Sequence, residues 1–182
     1  MNMPIHKLVQ SLDILIVDDE ADTRELLAEH CAAQGFRVAS ANDGRAAIQA
    51  IERATPPFPV VIADLSLPYA DGFAVLEAAR QASSSCYVII VTGYATIDSA
   101  VRAVRSGAYD FLAKPFALGQ LEVLLARIRD RMALEDENRA LTRQVDVERP
   151  GRPGPSSLQD RVRLLEDRVA TLERLIGPPG DR

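Results

Sequence analysis

The feature that most constrains this chain is a repeated alternation of short apolar runs with longer helical patterns. "DILIV" (13–17), "RVASA" (37–41), "VVIAD" (60–64), "YVIIV" (87–91) and "YDFLA" (109–113) read as strands. Between them stand "ADTRELLAEHCAAQ", "GRAAIQAIERA", "GFAVLEAARQ" and "ATIDSAVRAVRS". Leu26, Leu27, His30 and Cys31 recur at helical spacing, as do Ile97, Ala100, Val101 and Val104. Gly35 and Gly107 follow helical patterns and suit left-handed caps. Repeated strand–helix–strand units predict an α/β fold, a doubly wound five-stranded parallel sheet with helices on both faces. The expected strand order is the flavodoxin-like 2-1-3-4-5.

The alternation fills about two thirds of the 182 residues, and the 47% apolar content suffices for a core. The net charge of −5 sits in the first 117 residues, with 9 Lys/Arg against 14 Asp/Glu. The remainder is near neutral, so no electrostatic footprint for nucleic acid is expected. Cys31 and Cys86 lack metal-ligand spacing and read as reduced thiols. The start, "MNMPIHKLVQS", has no signal-peptide core, and no apolar run approaches a membrane span. A cytoplasmic protein is expected.

In such a sheet, ligands bind beyond the carboxyl ends of the strands. The first strand ends in Asp18 and Asp19, the third in Asp64, the fourth in Thr92 and the fifth in Lys114. Each alone is an ordinary cap or turn residue. Together they put three carboxylates, a hydroxyl and an ammonium on one rim. Clustered carboxylates repel, and a hard cation such as Mg²⁺ relieves that. A carboxylate at Asp64 could then serve as nucleophile toward a phosphoryl group, with Lys114 and Thr92 holding its oxygens.

The motifs "VDDE" (17–20), "DLSLPYADG" (64–72), "VTGYAT" (91–96) and "FLAKPF" (111–116) resemble the receiver domain of two-component response regulators. The wording is closest to receivers of enhancer-binding transcriptional activators. The resemblance covers residues 12–130. It implies a phosphorylated Asp64 and Mg²⁺ (or Mn²⁺) held by Asp18, Asp19, Asp64 and the backbone carbonyl of Ser66. Within that set Asp19 would be a direct ligand and Asp18 would act largely through water. It further implies that Lys114 and Thr92 stabilise the phosphoryl group and that Thr92 and Phe111 form a switch pair. Ser66 and Tyr94 would tune dephosphorylation, Gly93 would leave room for a phosphohistidine, and the Lys114–Pro115 peptide would be cis. The implied partner is a histidine kinase or histidine phosphotransfer protein. His6 and His30 stand in no phosphodonor motif.

The last helix is expected from Leu118 to about Val147, its segment 131–147 being a helical extension. There Leu134, Asn138, Leu141 and Val145 have coiled-coil spacing. Residues 148–157 form a Pro/Gly/Ser linker. In 158–176, Val162, Val169 and Ile176 fall at heptad position a, with Leu158, Leu165 and Leu172 at d. That combination favours a parallel two-stranded coil, and Arg161 and Arg168 at g face Glu166 and Glu173 at e of the partner. A homodimer through 158–176 is expected; the alternative is an amphipathic helix docked on the receiver. Neither a Walker-type loop nor a helix-turn-helix pattern is seen, so the ATPase and DNA-binding modules of the activators are not expected. The leading expectation is a Mg-dependent phosphoacceptor signalling through protein–protein contacts, not an enzyme acting on small substrates. A non-phosphorylated scaffold with the receiver fold is the alternative. A phosphohydrolase would instead want an Asp-x-Asp pair after the first strand, where this chain has "DDE".

Overall fold

The computed structural model describes residues 12–147. Its elements alternate: β1 (Asp13–Val17), α1 (Ala21–Ala33), β2 (Arg37–Ala41), α2 (Gly44–Arg53), β3 (Val60–Asp64), α3 (Gly72–Ala82), β4 (Tyr87–Thr92), α4 (Ile97–Arg105), β5 (Asp110–Ala113) and α5 (Leu118–Val147). The strands form one parallel sheet in the order β2-β1-β3-β4-β5. This is the expected topology, and each expected strand is present.

The three central strands explain themselves. Ile14 to Val17, Val60 to Asp64 and Tyr87 to Thr92 are buried throughout, as parallel strands covered on both faces must be. β2 and β5 lie at the edges and are correspondingly more polar or more exposed. Leu15, Val17, Val61, Ile90, Val75 and Leu76 belong to the core cluster on one face of the sheet.

Each helix start has a local cause. Asp43 accepts a hydrogen bond from Ala46 N at 2.7 Å and caps α2. Asp71 does the same for α3 through Ala74 N at 2.9 Å. Thr96 and Ser99 form a reciprocal capping box on α4. Gly35 and Gly107 adopt φ of 84° and 90°, the left-handed caps expected after α1 and α4.

Helical periodicity and burial part company in two places. In α1, Leu27 and Cys31 are buried but Leu26 is half exposed. In α4 the expected apolar stripe Ile97, Val101, Val104 faces outward, and it is Ala103 that is fully buried. An apolar period shows that a face exists; it does not say that this chain covers it.

The chain divides into two compact units between Ile128 and Arg129, inside α5. In the first unit Leu121, Leu124, Leu125 and Ile128 of α5 are buried, three of them completely. Each fully buried side chain contributes roughly 1.5–3 kcal/mol. In the described part of the second unit the helix carries i,i+4 and i,i+3 ion pairs, Arg131–Glu135 at 3.2 Å and Arg139–Asp136 at 3.7 Å. Leu134, the first expected seam residue, is 61% exposed. The side chains of Leu141 and Val145, the linker 148–157 and the coil 158–176 lie outside the described residues.

Candidate functional site

Strand register builds the site. Val17 pairs with Ala63, so the next residues along, Asp18 and Asp64, leave adjacent strands at the same level. Asp64 pairs with Val91, which places Thr92 one step beyond it. Thr92 pairs with Ala113, and Lys114 follows. Sheet register thus brings together residues up to 96 positions apart in sequence.

The centre of the site is Lys114. Its ammonium donates to Asp18 Oδ2 and to Asp64 Oδ2, both at 2.6 Å. The Asp18 side chain is 0% exposed, that of Asp64 8% and that of Lys114 18%. The second oxygens of both carboxylates are also held. Glu20 N donates to Asp18 Oδ1 at 3.0 Å, and Ser66 N donates to Asp64 Oδ1 at 2.8 Å. Among the described residues, no buried side-chain polar atom lacks a partner.

Burial raises the Asp18 pKa above the usual carboxylate value; the Lys114 and Glu20 N hydrogen bonds oppose this without cancelling it. Burial pulls the Lys114 pKa down, but hydrogen bonds to Asp18 and Asp64 outweigh it and the net shift is upward. Lys114 therefore stays charged.

Asp19 is exposed at the same mouth. Carboxylate oxygens of Asp18, Asp19 and Asp64 all lie within 4.8 Å of one another. Three hard oxygen donors at this spacing fit a divalent cation of the Mg²⁺ type.

The remaining expected residues surround this core. Thr92 is fully buried, and its hydroxyl accepts from Tyr94 N at 3.2 Å. Its carbonyl accepts from Lys114 N at 2.8 Å, tying β4 to the lysine's backbone. Phe111 is partly buried against the core cluster. Tyr94 is largely exposed. Ser66 is exposed on the β3–α3 loop. The Lys114–Pro115 peptide is cis. A cavity of about 590 Å³ opens elsewhere, between α3 and α4, lined by Phe73, Glu77, Arg80 and Arg102 among others; no rim residue lines it.

One contributor went unread in the sequence. Arg24, one turn into α1, donates from Nη1 to the carbonyl oxygen of Asp18 at 2.7 Å. It fixes the backbone of the acidic pair without neutralising either carboxylate. An arginine one turn after such a pair was its signal, though nothing in spacing alone distinguishes it from a solvated helix residue.

Comparison with known proteins gives a consistent picture. The family described as the response regulator receiver domain matches residues 14–126. Regulatory protein AtoC of Escherichia coli (strain K12) is 38% identical over 70% of this chain and 27% of its own length. The C4-dicarboxylate transport transcriptional regulatory protein DctD of Rhizobium meliloti (strain 1021) is 32% identical over 86% of this chain and 34% of its own. The chain thus spans about a quarter to a third of the length of these relatives. Among solved structures, the signal receiver domain of a protein described as a Luxo repressor from Vibrio parahaemolyticus superposes with a TM-score of 0.63. It is 33% identical and covers 69% of this chain and 95% of that one.

Proposed function

The chain belongs to the response regulator receiver domain family, and from that premise we propose that Asp64 accepts a phosphoryl group from a histidine kinase or histidine phosphotransfer protein. The observation that carries this is Lys114, whose ammonium touches Asp64 and the buried Asp18 at once. A carboxylate oxygen attacks phosphorus as the donor's N–P bond breaks, so Asp64 must be ionised. Lys114 beside it donates to one of its oxygens at 2.6 Å. As the Asp64 carboxylate becomes an acyl phosphate, Lys114 can move its hydrogen bond to a phosphoryl oxygen.

Asp18, Asp19, Asp64 and the Ser66 carbonyl would hold Mg²⁺ or Mn²⁺. When bound, such an ion supplies neutralisation of the negative charge on the transferred group. Asp18, already engaged by Lys114 and Glu20 N, suits a ligand acting through water; the exposed Asp19 suits direct contact. Thr92 holds a further phosphoryl oxygen, and with Phe111 it passes the change to the α4–β5 face. Ser66 and Tyr94, exposed at the mouth, control access of the water that removes the phosphoryl group. The protein is thus a phosphoacceptor whose only catalysis is on itself.

The domain layout follows: a receiver over 12–130, a helical extension over 131–147, a linker over 148–157 and a parallel coil over 158–176. The output is protein–protein, through a homodimer formed by that coil. Among the described residues no helix is long and apolar enough to cross a membrane.

The test is intact-mass measurement after acetyl phosphate with Mg²⁺. Wild type should gain one phosphoryl group and Asp64→Asn none. Unchanged labelling of Asp64→Asn would overturn the assignment.

A further inference from the structure

The loop after Asp64 is held by two different parts of the fold. Its near end is fixed to the sheet: Leu65 N donates to Val91 O at 3.0 Å, and Gly72 N donates to Leu65 O at 3.0 Å. Gly72 sits so close that a Cβ there would lie 2.3 Å from the Asp64 carbonyl oxygen. The far end, Pro68 to Ala70, has another anchor. Gly44 N, the first residue of α2, donates to Pro68 O at 3.2 Å.

At that far end the backbone is unusual. Tyr69 has φ of 66°, and Ala70 N donates to Pro68 O at 2.8 Å. This is a γ-turn with a positive-φ residue at its centre, a rare and strained form. Tyrosine there costs energy that the surroundings must offset. Tyr69 is 78% exposed, so burial of its ring does not do so. Contacts from the start of α2 meet this turn. A Cβ on Gly44 would lie 1.8 Å from the Ala70 carbonyl oxygen and 2.7 Å from its carbon. Ordinary contacts sit at about 3.5–4.0 Å. Arg45 places its guanidinium 5.1 Å from the Tyr69 ring centroid, within cation–π range. Asp43 holds the helix start in place through its cap to Ala46 N.

Between these anchors lies Ser66, whose N–H holds Asp64 Oδ1 at 2.8 Å. We infer that the N-terminal turn of α2 positions the acceptor loop: Gly44, packed on Ala70, sets the strained turn at Tyr69 and through it the Ser66 backbone beside Asp64. Gly44 and Tyr69 are positioning residues and touch neither the phosphoryl group nor the ion. This rests on the proposed cation site, and it extends that site's support to a helix that contributes no ligand.

The test is Mg²⁺ affinity by calorimetry, with the Ser66 amide resonance as a second readout, on full-length protein. Gly44→Ala should weaken Mg²⁺ about tenfold or more, the scale typical of lost outer support, and should shift the Ser66 amide without Mg²⁺. Tyr69→Gly accepts positive φ and should stay close to wild type. Tyr69→Val cannot easily adopt it and should weaken binding as Gly44→Ala does. If Gly44→Ala does not fold, the Gly/Val contrast at position 69 decides by the same criterion. Wild-type affinity and an unmoved Ser66 amide in the folded Gly44→Ala and Tyr69→Val would overturn the inference and leave the proposed function standing. No Mg²⁺ binding by wild type itself would overturn both.

Discussion

Replacing Lys114 with methionine removes a cation bonded to two carboxylates that are nearly sealed from solvent. Asp18 and Asp64 would keep their backbone hydrogen bonds from Glu20 N and Ser66 N but lose the shared ammonium at 2.6 Å. Breaking a buried pair by deleting one partner costs about 3–5 kcal/mol, because a charge is left buried without compensation. At about 4 °C per kcal/mol for a domain of this size, Tm at neutral pH should fall by roughly 10–20 °C without Mg²⁺. The pH dependence has a definite sign. Burial already raises the Asp18 pKa, and losing Lys114 removes its hydrogen bond and its charge, leaving only the Glu20 N hydrogen bond to oppose burial. The native state then binds protons more readily than the unfolded chain. Stability must fall as pH rises through the interval from the unfolded value of 3.8 to the raised folded value. The deficit of Lys114→Met should therefore be largest near pH 7 and shrink as the pH is lowered. Mg²⁺ should restore much of it, since saturation at 100 times Kd stabilises by about 2.7 kcal/mol. Thermal unfolding followed by circular dichroism at two pH values, with and without Mg²⁺, checks all three points. A Lys114→Met protein as stable as wild type at pH 7 without Mg²⁺ would refute the reasoning.

Burial pushes the Cys86 thiol up to about 12 from 9.0. It should resist alkylation at pH 8 in the native protein and react once unfolded, as peptide mapping will show; labelling at equal rates in both states would contradict this. By the same linkage, this thiol makes folding less favourable as pH climbs above 9.0, because the native state retains the proton longer. Sedimentation should find the full-length chain dimeric and a chain ending at residue 150 monomeric; a monomeric full-length protein would remove the coil at 158–176 from the account.

The acidic rim was legible in the sequence because central parallel strands bury both faces. Runs such as "VVIA" and "YVII" announce themselves, and the first polar residue after each falls at the carboxyl edge. Register then does what the sequence could only imply, setting Asp18 level with Asp64 and Lys114 beyond Thr92. The β5 edge read less cleanly: the expected strand opened at Tyr109, whereas the sheet begins at Asp110. Tyr109 instead packs edge-on against Tyr87 at 5.2 Å. The outward stripe of α4 shows a different limit, since Ile97, Val101 and Val104 have the spacing of a covered face without a cover among the described residues. Arg24 and the Gly44–Ala70 contact were beyond reach because both act on backbone atoms, which carry no residue-type signature. Asp71 and Asp64 show how much position decides. Both are aspartates in one loop, yet Asp71 caps α3 while Asp64 faces Lys114.

Borohydride trapping tests the central claim most directly. Reduction of an acyl phosphate converts the aspartate to homoserine, and peptide mass spectrometry then reads its position. After acetyl phosphate and Mg²⁺, homoserine should stand at residue 64 and nowhere else. Homoserine at Asp18 or Asp19 with none at Asp64 would contradict the assignment of the acceptor, whatever the total labelling.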